Sequence, residues 1–417
     1  MTNRAASKEP LKIAVLSSAS AGGAGIAARR VADALNLSED MEADFIDMVA
    51  MGGRMPDDAA PPGSMSNRSI SDTHFTVEYP GFVRGWVIDL LQQYDILNIH
   101  WASFLLGLAE IDELSRRGMP ILFTCHDYYY FTGGCHYPAT CKQLAKGCIG
   151  CPQVNTDYCS PEIIARNRRL KKAILSRPNV HLSAPSAFLV GEAIKAGMIC
   201  EQRTHVLRNP YRPIERFTGQ KKTENLRIVL LADSMAERRK AMPLAIESLK
   251  LARSKLNSQR NSDESFVVEI IGGVDDVFMS AVNAGDFQFQ AHGRLTRHEE
   301  IAEVLGRSHL LLTCSREDNW PNVLVESGAY GVIPVVGPGH GCEEFVDRLG
   351  AGKVAPNYSP DAFADAIISA LEHHSPASSE ELQLEVNRTH SPQRICDSYY
   401  DVLCHALTDS AYQQADH

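Results

Sequence analysis

The chain lacks what a membrane protein needs. No apolar run among its 417 residues reaches the roughly 20 that a bilayer-spanning helix requires. Its first ten residues are polar, and Ile13 to Leu16 is too short for the hydrophobic stretch of a secretory leader. A cytoplasmic location is therefore expected, at most peripheral to the inner membrane face. An excess of positive charge is also missing: 41 Lys and Arg stand against 51 Asp and Glu, a formal net charge of −10. That excludes a general nucleic-acid binder, whose affinity rests on neutralising phosphates. There is no low-complexity tract and no short-period repeat. The dinucleotide pattern G-x-G-x-x-G does not occur at the N-terminal glycines, so no nicotinamide site is inferred. The eleven cysteines, in a reducing compartment, are expected as thiols or metal ligands and not as disulfides.

What is present is the composition of a folded protein, 44% hydrophobic and 22% charged, with a length that suits two domains. Short β-rich runs alternate with helical patterns. Lys12 to Ser18 precedes the glycine turn Ala21 to Gly25 and an Ala-rich helix over Ile26 to Leu35. Further strands are predicted over Ala43 to Val49, Asp95 to Ile99 and Pro120 to Cys125. Met51 to Asp72, rich in Pro, Gly, Ser and Asp, reads as a mobile loop. The second half repeats the theme at Leu226 to Leu231, Phe266 to Ile271, His309 to Thr313 and Ile333 to Val336. Such alternation predicts parallel sheets, with ligands at the carboxyl ends of the strands. The join is placed near Asn209–Pro210, ahead of Pro213 and the polar run Thr218 to Asn225. This gives domains over 1–208 and 209–390 and a helix over 391–417, capped by Ser391 and opened by Pro392, that crosses back to the first domain. The predicted fold class is α/β: two Rossmann-like domains whose parallel sheets face an interdomain cleft.

Cys314 to Gly337 carries the strongest chemical signal. A strand ends in polar residues, Pro321 opens a helix, and Asp318 and Glu326 flank Trp320–Pro321 with seven residues between them. The helix start, from Asn322 and Val323 onward, offers free N–H groups to an anion, and the acids suit ribose and sugar hydroxyls. Arg239 and Lys240 follow a strand, where basic residues could stabilise a departing diphosphate without a metal. A solvated helix start is the plainer reading, although cations are the wrong sign for a helix N-terminus. Gly22, Gly23 and Gly25 permit close approach of a ligand or simply tight packing. His126 and the weaker His100 each end an apolar run. Cys135, Cys141, Cys148 and Cys151 form C-x5-C-x6-C-x2-C, which suits a structural zinc, with unpaired thiols as the competing reading. Arg166, Arg168, Arg169, Lys171 and Lys172 interleave with apolar residues; a solvated helix face is favoured there over contact with anionic lipid.

With these residues in place the chain resembles the retaining glycosyltransferases of family 4, which have the GT-B fold. Asp318 and Glu326 fall on that family's paired glutamates, followed by a small-residue helix and the strand Gly331 to Val336. Gly22 to Gly25 matches its glycine loop, His126–Asp127 its His-Asp pair, and Arg239–Lys240 its basic pair. Gly341 to Glu344 matches its glycine turn and glutamate. Phe131 to Tyr137 is similar to a subgroup acting in bacterial cell-surface polysaccharide synthesis. Asp318 stands where the family has glutamate, and Ala241 where it has glycine. The resemblance implies a UDP- or GDP-sugar donor, a saccharide or lipid-linked acceptor, retention of configuration, and no cofactor required for catalysis. It implies His126, Asp318, Arg239 and Lys240 as catalytic residues, with Glu326, Asn322, Val323 and the glycines binding the donor. The rivals are a nucleotide-sugar epimerase or phosphorylase on the same fold, and a nucleotide-sugar-binding protein with impaired catalysis.

Overall fold

The computed structural model describes residues 9–47, 49–51, 75–78, 81, 83–103, 105–154, 159–212, 226–260, 266–284 and 287–415. The loop expected over 51–72 lies outside them from residue 52 onward, as do Pro213 and the polar run 218–225. Among the described residues no helix is long and apolar enough to cross a membrane.

The chain divides into two compact units, Met1–Pro210 with Pro392–His417, and Tyr211–Ser391. In chain order the first holds β1 (Leu11–Ser17), α1 (Gly22–Leu35), β2 (Met41–Ile46), α2 (Gly85–Leu91), β3 (Ile96–Trp101), α3 (Leu108–Arg116), β4 (Ile121–Thr124), α4 (Pro161–Leu175), β5 (Val180–Ala184), α5 (Ala187–Lys195) and β6 (Thr204–Val206). These strands make one parallel sheet in the order β2-β1-β3-β4-β5-β6. β4 and β5 are buried at every residue, as expected of strands covered on both faces.

The second unit contains β7 (Arg227–Ser234), α6 (Met242–Arg260), β8 (Val267–Gly273), α7 (Asp276–Asn283), β9 (Gln288–Gly293), α8 (His298–Arg307), β10 (Leu310–Thr313), α9 (Asn322–Gly328), β11 (Ile333–Val336), α10 (Gly341–Leu349), β12 (Lys353–Val354), α11 (Pro360–Glu372) and α12 (Pro376–His390). Its sheet is also parallel, in the order β12-β11-β10-β7-β8-β9. The strand order reverses between β7 and β10. In open parallel sheets that reversal leaves a crevice beyond the carboxyl ends of the two strands, the usual place for a ligand. The corresponding reversal in the first unit lies between β1 and β3.

The last helix, α13 (Pro392–Ala415), belongs to the first unit. Ile395, Tyr399, Leu403 and Ala406 recur at helical spacing. All are buried in one cluster with Ile13 and Val15 of β1 and Val31 and Leu35 of α1. Removing a side chain of this size from water contributes about 1.5–3 kcal/mol, so the stripe fixes α13 against the sheet.

Candidate functional site

In the second unit, three loops that follow adjacent strands meet at the strand-order reversal. After β7 comes a single turn of 3-10 helix, Arg238–Lys240, which closes on Ala241 in the left-handed region at φ 51°. After β10 comes Cys314 to Pro321, and after β11 comes Gly337 to His340. Lys240 Nζ lies 2.6 Å from Asp318 Oδ2, and Arg239 Nη1 lies 3.1 Å from the same oxygen. Arg239 also donates from Nε to Glu237 and from Nη1 to the Glu317 carbonyl at 3.0 Å. The Arg316 amide in turn donates to the Arg239 carbonyl at 2.8 Å. The two loops are thus tied by both side chains and backbone.

Asp318 is only 8% exposed. Burial alone would raise its pKa. The charges of Lys240 and Arg239, the Lys240 hydrogen bond and nearby His340 outweigh that and hold it well below the usual carboxylate range. Expected as an acid turned to sugar hydroxyls, Asp318 has its Oδ2 on the basic pair.

The third loop braces this arrangement through His340, which the sequence pattern did not single out, and through Gly341 and Glu343 of the matched glycine turn. His340 caps α10, accepting from the Cys342 amide, and its Nε2 donates to the Ser315 carbonyl at 2.9 Å. The Gly341 amide donates to the Asp318 carbonyl at 3.2 Å. A Cβ at Gly341 would fall 1.2 Å from the Asn319 oxygen, so only glycine lets the backbones meet. Glu343 accepts from the Gly339 amide at 2.5 Å. Pro321, expected as the first helical residue, is instead the N-cap (φ −65°, ψ 133°), and α9 begins at Asn322. Asn322, Val323 and Glu326 are half-buried on this seven-residue helix.

The first unit places the other predicted residues at the ends of β1, β3 and β4. Gly22 is left-handed (φ +75°), and neither it nor Gly23 would bring a Cβ within 4 Å of another group. Gly25 differs, because its Cβ would sit 2.1 Å from the Ala19 oxygen; its requirement is backbone packing. His126 and Asp127, adjacent in sequence, take different partners. Asp127 Oδ2 lies 2.7 Å from His136 Nδ1, whose ring continues from Nε2 to Thr76 at 3.0 Å. His126 Nε2 lies 2.8 Å from His100 Nδ1, and His100 Nε2 lies 2.8 Å from Asn98 Oδ1. Asn98 spends its amide hydrogens on the Leu122 carbonyl and Thr124, so its oxygen must face His100. His100 therefore donates from Nε2 and accepts at Nδ1, and His126 donates from Nε2, leaving its own Nδ1 as an acceptor.

This tautomer requires neutral rings. Burial pushes the His126 pKa down to about 4, with Asp127 opposing, and burial together with the His126 charge lowers that of His100. Between about pH 6.5, the value for an unfolded chain, and pH 4 the unfolded protein holds a proton on His126 that the folded protein lacks. Stability must therefore fall as pH falls through that window, by at most about 1.4 kcal/mol per pH unit for each histidine. Urea midpoints between pH 7 and 4 should record this decline, and His126→Gln should flatten it. An imidazole titrating near 6.5 by NMR would remove the basis for the assignment.

The basic face expected on α4 is divided: Arg169 and Lys172 are exposed and Arg166 half-buried, whereas Arg168 and Lys171 turn inward. Arg168 is 9% and Lys171 3% exposed. Arg168 donates to the Ala196 carbonyl at 2.9 Å, Lys171 to the Tyr129 carbonyl at 2.7 Å, and Lys172 to that of Gly197. Cys135, Cys141, Cys148 and Cys151 line one small cavity with Phe75, Leu144 and Ile164. Burial, with the charges of its neighbours, pushes the Cys135 thiol up, and burial takes that of Cys151 to about 11.

Residues 214–383 match the family described as Glycosyl transferases group 1. The match takes in the 3-10 turn with Arg239 and Lys240, the Asp318 loop and α9, so the geometry above lies inside the matched segment. No curated protein matches the sequence. Solved structures share its fold at low identity. HepE (Alr3699) of Anabaena, solved with UDP-glucose, superposes with a TM-score of 0.61 at 13% identity over 94% of this chain and 99% of its own. A glycosyltransferase of Rickettsia africae gives 0.63 at 13% identity over 95% and 99%. The sucrose-phosphate synthase of Thermosynechococcus elongatus gives 0.56 at 15% identity over 97% and 99%. The shared fold is GT-B, as expected from the sequence.

Proposed function

We propose that the chain is a glycosyltransferase of the retaining, family 4 type. It would take its sugar from a UDP- or GDP-sugar and pass it to a saccharide or lipid-linked saccharide in surface polysaccharide synthesis. One observation supports this above the others: in a domain matching the glycosyl transferases group 1 family, Arg239, Lys240 and Asp318 converge at the reversal of strand order. In this reading Tyr211–Ser391 is the donor-binding domain, and the first unit, completed by α13, serves the acceptor.

Transfer breaks the bond between the anomeric carbon and the diphosphate, and negative charge grows on the departing oxygen. Lys240 as a point charge and Arg239 as a planar fork would stabilise that charge. Asp318, already paired with both, would hold the two cations in place and reach the sugar with its second oxygen. Glu326 would hold the ribose, and Asn322 and Val323 would offer backbone N–H groups to the diphosphate. His126, neutral, would hydrogen-bond a substrate hydroxyl. Gly22, Gly23 and Gly25 would shape the turn before α1 for close approach of a ligand. UDP-glucose in the HepE structure supports a uridine donor. The four thiols around the small cavity suit a structural zinc, and none of the steps above needs a metal. Arg169 and Lys172, with half-buried Arg166, are the α4 cations that would serve any peripheral membrane contact.

A thermal-shift screen with UDP, GDP and their sugars tests the donor assignment. A ligand at a hundredfold excess over its dissociation constant stabilises the native state by about 2.7 kcal/mol. The expected result is a rise in midpoint with one base only, followed by acceptor-dependent release of that nucleoside diphosphate. No shift with any of them would reject the proposal.

A further inference from the structure

Outside the residues discussed so far, β5, β6 and α13 bring three histidines together. Each of His181, His205 and His405 offers a ring nitrogen, and these three atoms lie within 4.8 Å of one another. His181 on β5 is fully buried, His205 on β6 half-buried, and His405 on α13 half exposed. His181 Nδ1 and His205 Nε2 are 3.0 Å apart, their rings are stacked, and His405 meets both edge-on. The other nitrogen of His181, Nε2, lies 3.2 Å from Asp409 Oδ2, one helical turn beyond His405.

We propose that His181, His205 and His405 bind a divalent transition-metal ion of the zinc class, which clamps α13 to the β5–β6 edge of the first sheet. Imidazole is the ligand such ions prefer among neutral side chains. Zinc–nitrogen bonds of about 2.0–2.1 Å set neighbouring donors of a tetrahedral site roughly 3.3 Å apart, close to the separation of His181 and His205. The Asp409 carboxylate lies 3.2 Å from the far nitrogen of His181, where its negative charge would make the ring a better donor to a metal. The half-exposed side of the cluster, at His405, leaves a fourth position for water. Burial and the neighbouring rings keep the pKa of His181 and of His205 near 4, so both are unprotonated at neutral pH. A ring cluster that only packed the helix would not need the carboxylate behind it.

The test is a Co²⁺ titration of the chelator-stripped full chain followed by absorption, with a parallel thermal shift in Zn²⁺. Binding of Co²⁺ with a nitrogen-and-oxygen spectrum, distinct from any thiolate charge transfer at the four cysteines, is expected, together with a higher midpoint in Zn²⁺. His405→Ala removes a half-exposed ligand without opening the core and should weaken Co²⁺ at least tenfold. Asp409→Asn should weaken it about 10- to 100-fold. His205→Gln gives a second ligand deletion if either of these variants is unstable. Cys141→Ser with Cys151→Ser should leave the nitrogen-and-oxygen spectrum unchanged, which separates this site from the four thiols. An unaltered titration in His405→Ala and His205→Gln, a purely thiolate spectrum, or no Co²⁺ bound would each overturn the proposal.

Discussion

Lys240→Ala should leave the protein folded and lower its turnover by about 10²- to 10³-fold, the usual cost of deleting one donor aimed at developing charge. The fold is expected to survive because Asp318 keeps a partner. Arg239 remains 3.1 Å from its Oδ2 and is itself braced by Glu237 and the Glu317 carbonyl. Removing Arg239 and Lys240 together is a poorer experiment, since it would strand a carboxylate that is only 8% exposed. Breaking a buried ion pair in that way costs about 3–5 kcal/mol, and lost activity would then report unfolding. Lys240→Arg restores the charge without its point geometry and should recover part of the rate. The measurement is kcat and KM for the donor sugar, with urea midpoints alongside. Turnover within threefold of the parent would leave Lys240 no part in stabilising the leaving group.

Gly341→Ala should be far more damaging than its single added methyl suggests. That carbon would sit 1.2 Å from the Asn319 oxygen and 2.2 Å from the carbonyl carbon, both backbone atoms that no rotamer change can move. The loop bearing Asp318 must shift, and with it the hydrogen bond from the Gly341 amide to the Asp318 carbonyl. We expect a loss above about 4 kcal/mol, in the range reserved for such backbone collisions, with activity falling in step. Gly23→Ala is the matched control, because its Cβ would meet nothing within 4 Å and helix propensity there favours alanine by about 0.5–1 kcal/mol. Equal urea midpoints for the two variants would show that the Asn319–Gly341 contact does not hold the loop.

The fold class was legible because buried parallel strands are written as apolar runs. Those at β1, β3, β4, β7, β8, β10 and β11 all stood out. The strands that escaped notice carry little apolar signal. β9 is an edge strand with exposed Gln288 and Gln290, β6 and β12 have three and two residues, and β5 interrupts its run with His181 and Ser183. In the candidate site, sequence spacing picked out Arg239, Lys240 and Asp318 but not that one oxygen of Asp318 would meet both cations. That contact joins residues 78 apart and depends on β7 and β10 being neighbours in the sheet. His340 and the His100–Asn98 chain were obscure for a similar reason. Their partners are backbone carbonyls and a side chain on adjacent strands, which no local pattern encodes. The cations of α4 are divided: Arg169 and Lys172 stay exposed as a basic run suggests, yet carbonyl oxygens of neighbouring segments draw Arg168 and Lys171 inward.

The place of α13 has a consequence for how the protein is made. The cluster around Ile13, Val15 and Val31 is closed by Ile395, Tyr399 and Leu403, so the first sheet to leave the ribosome lacks part of its cover until the last residues follow. At about 5–20 residues per second, translation of the intervening Tyr211–Ser391 unit takes on the order of ten seconds or more. The unit begun second can reach its native state first. For that interval the nascent N-terminal sheet shows an apolar stripe to solvent, a natural landing place for a chaperone.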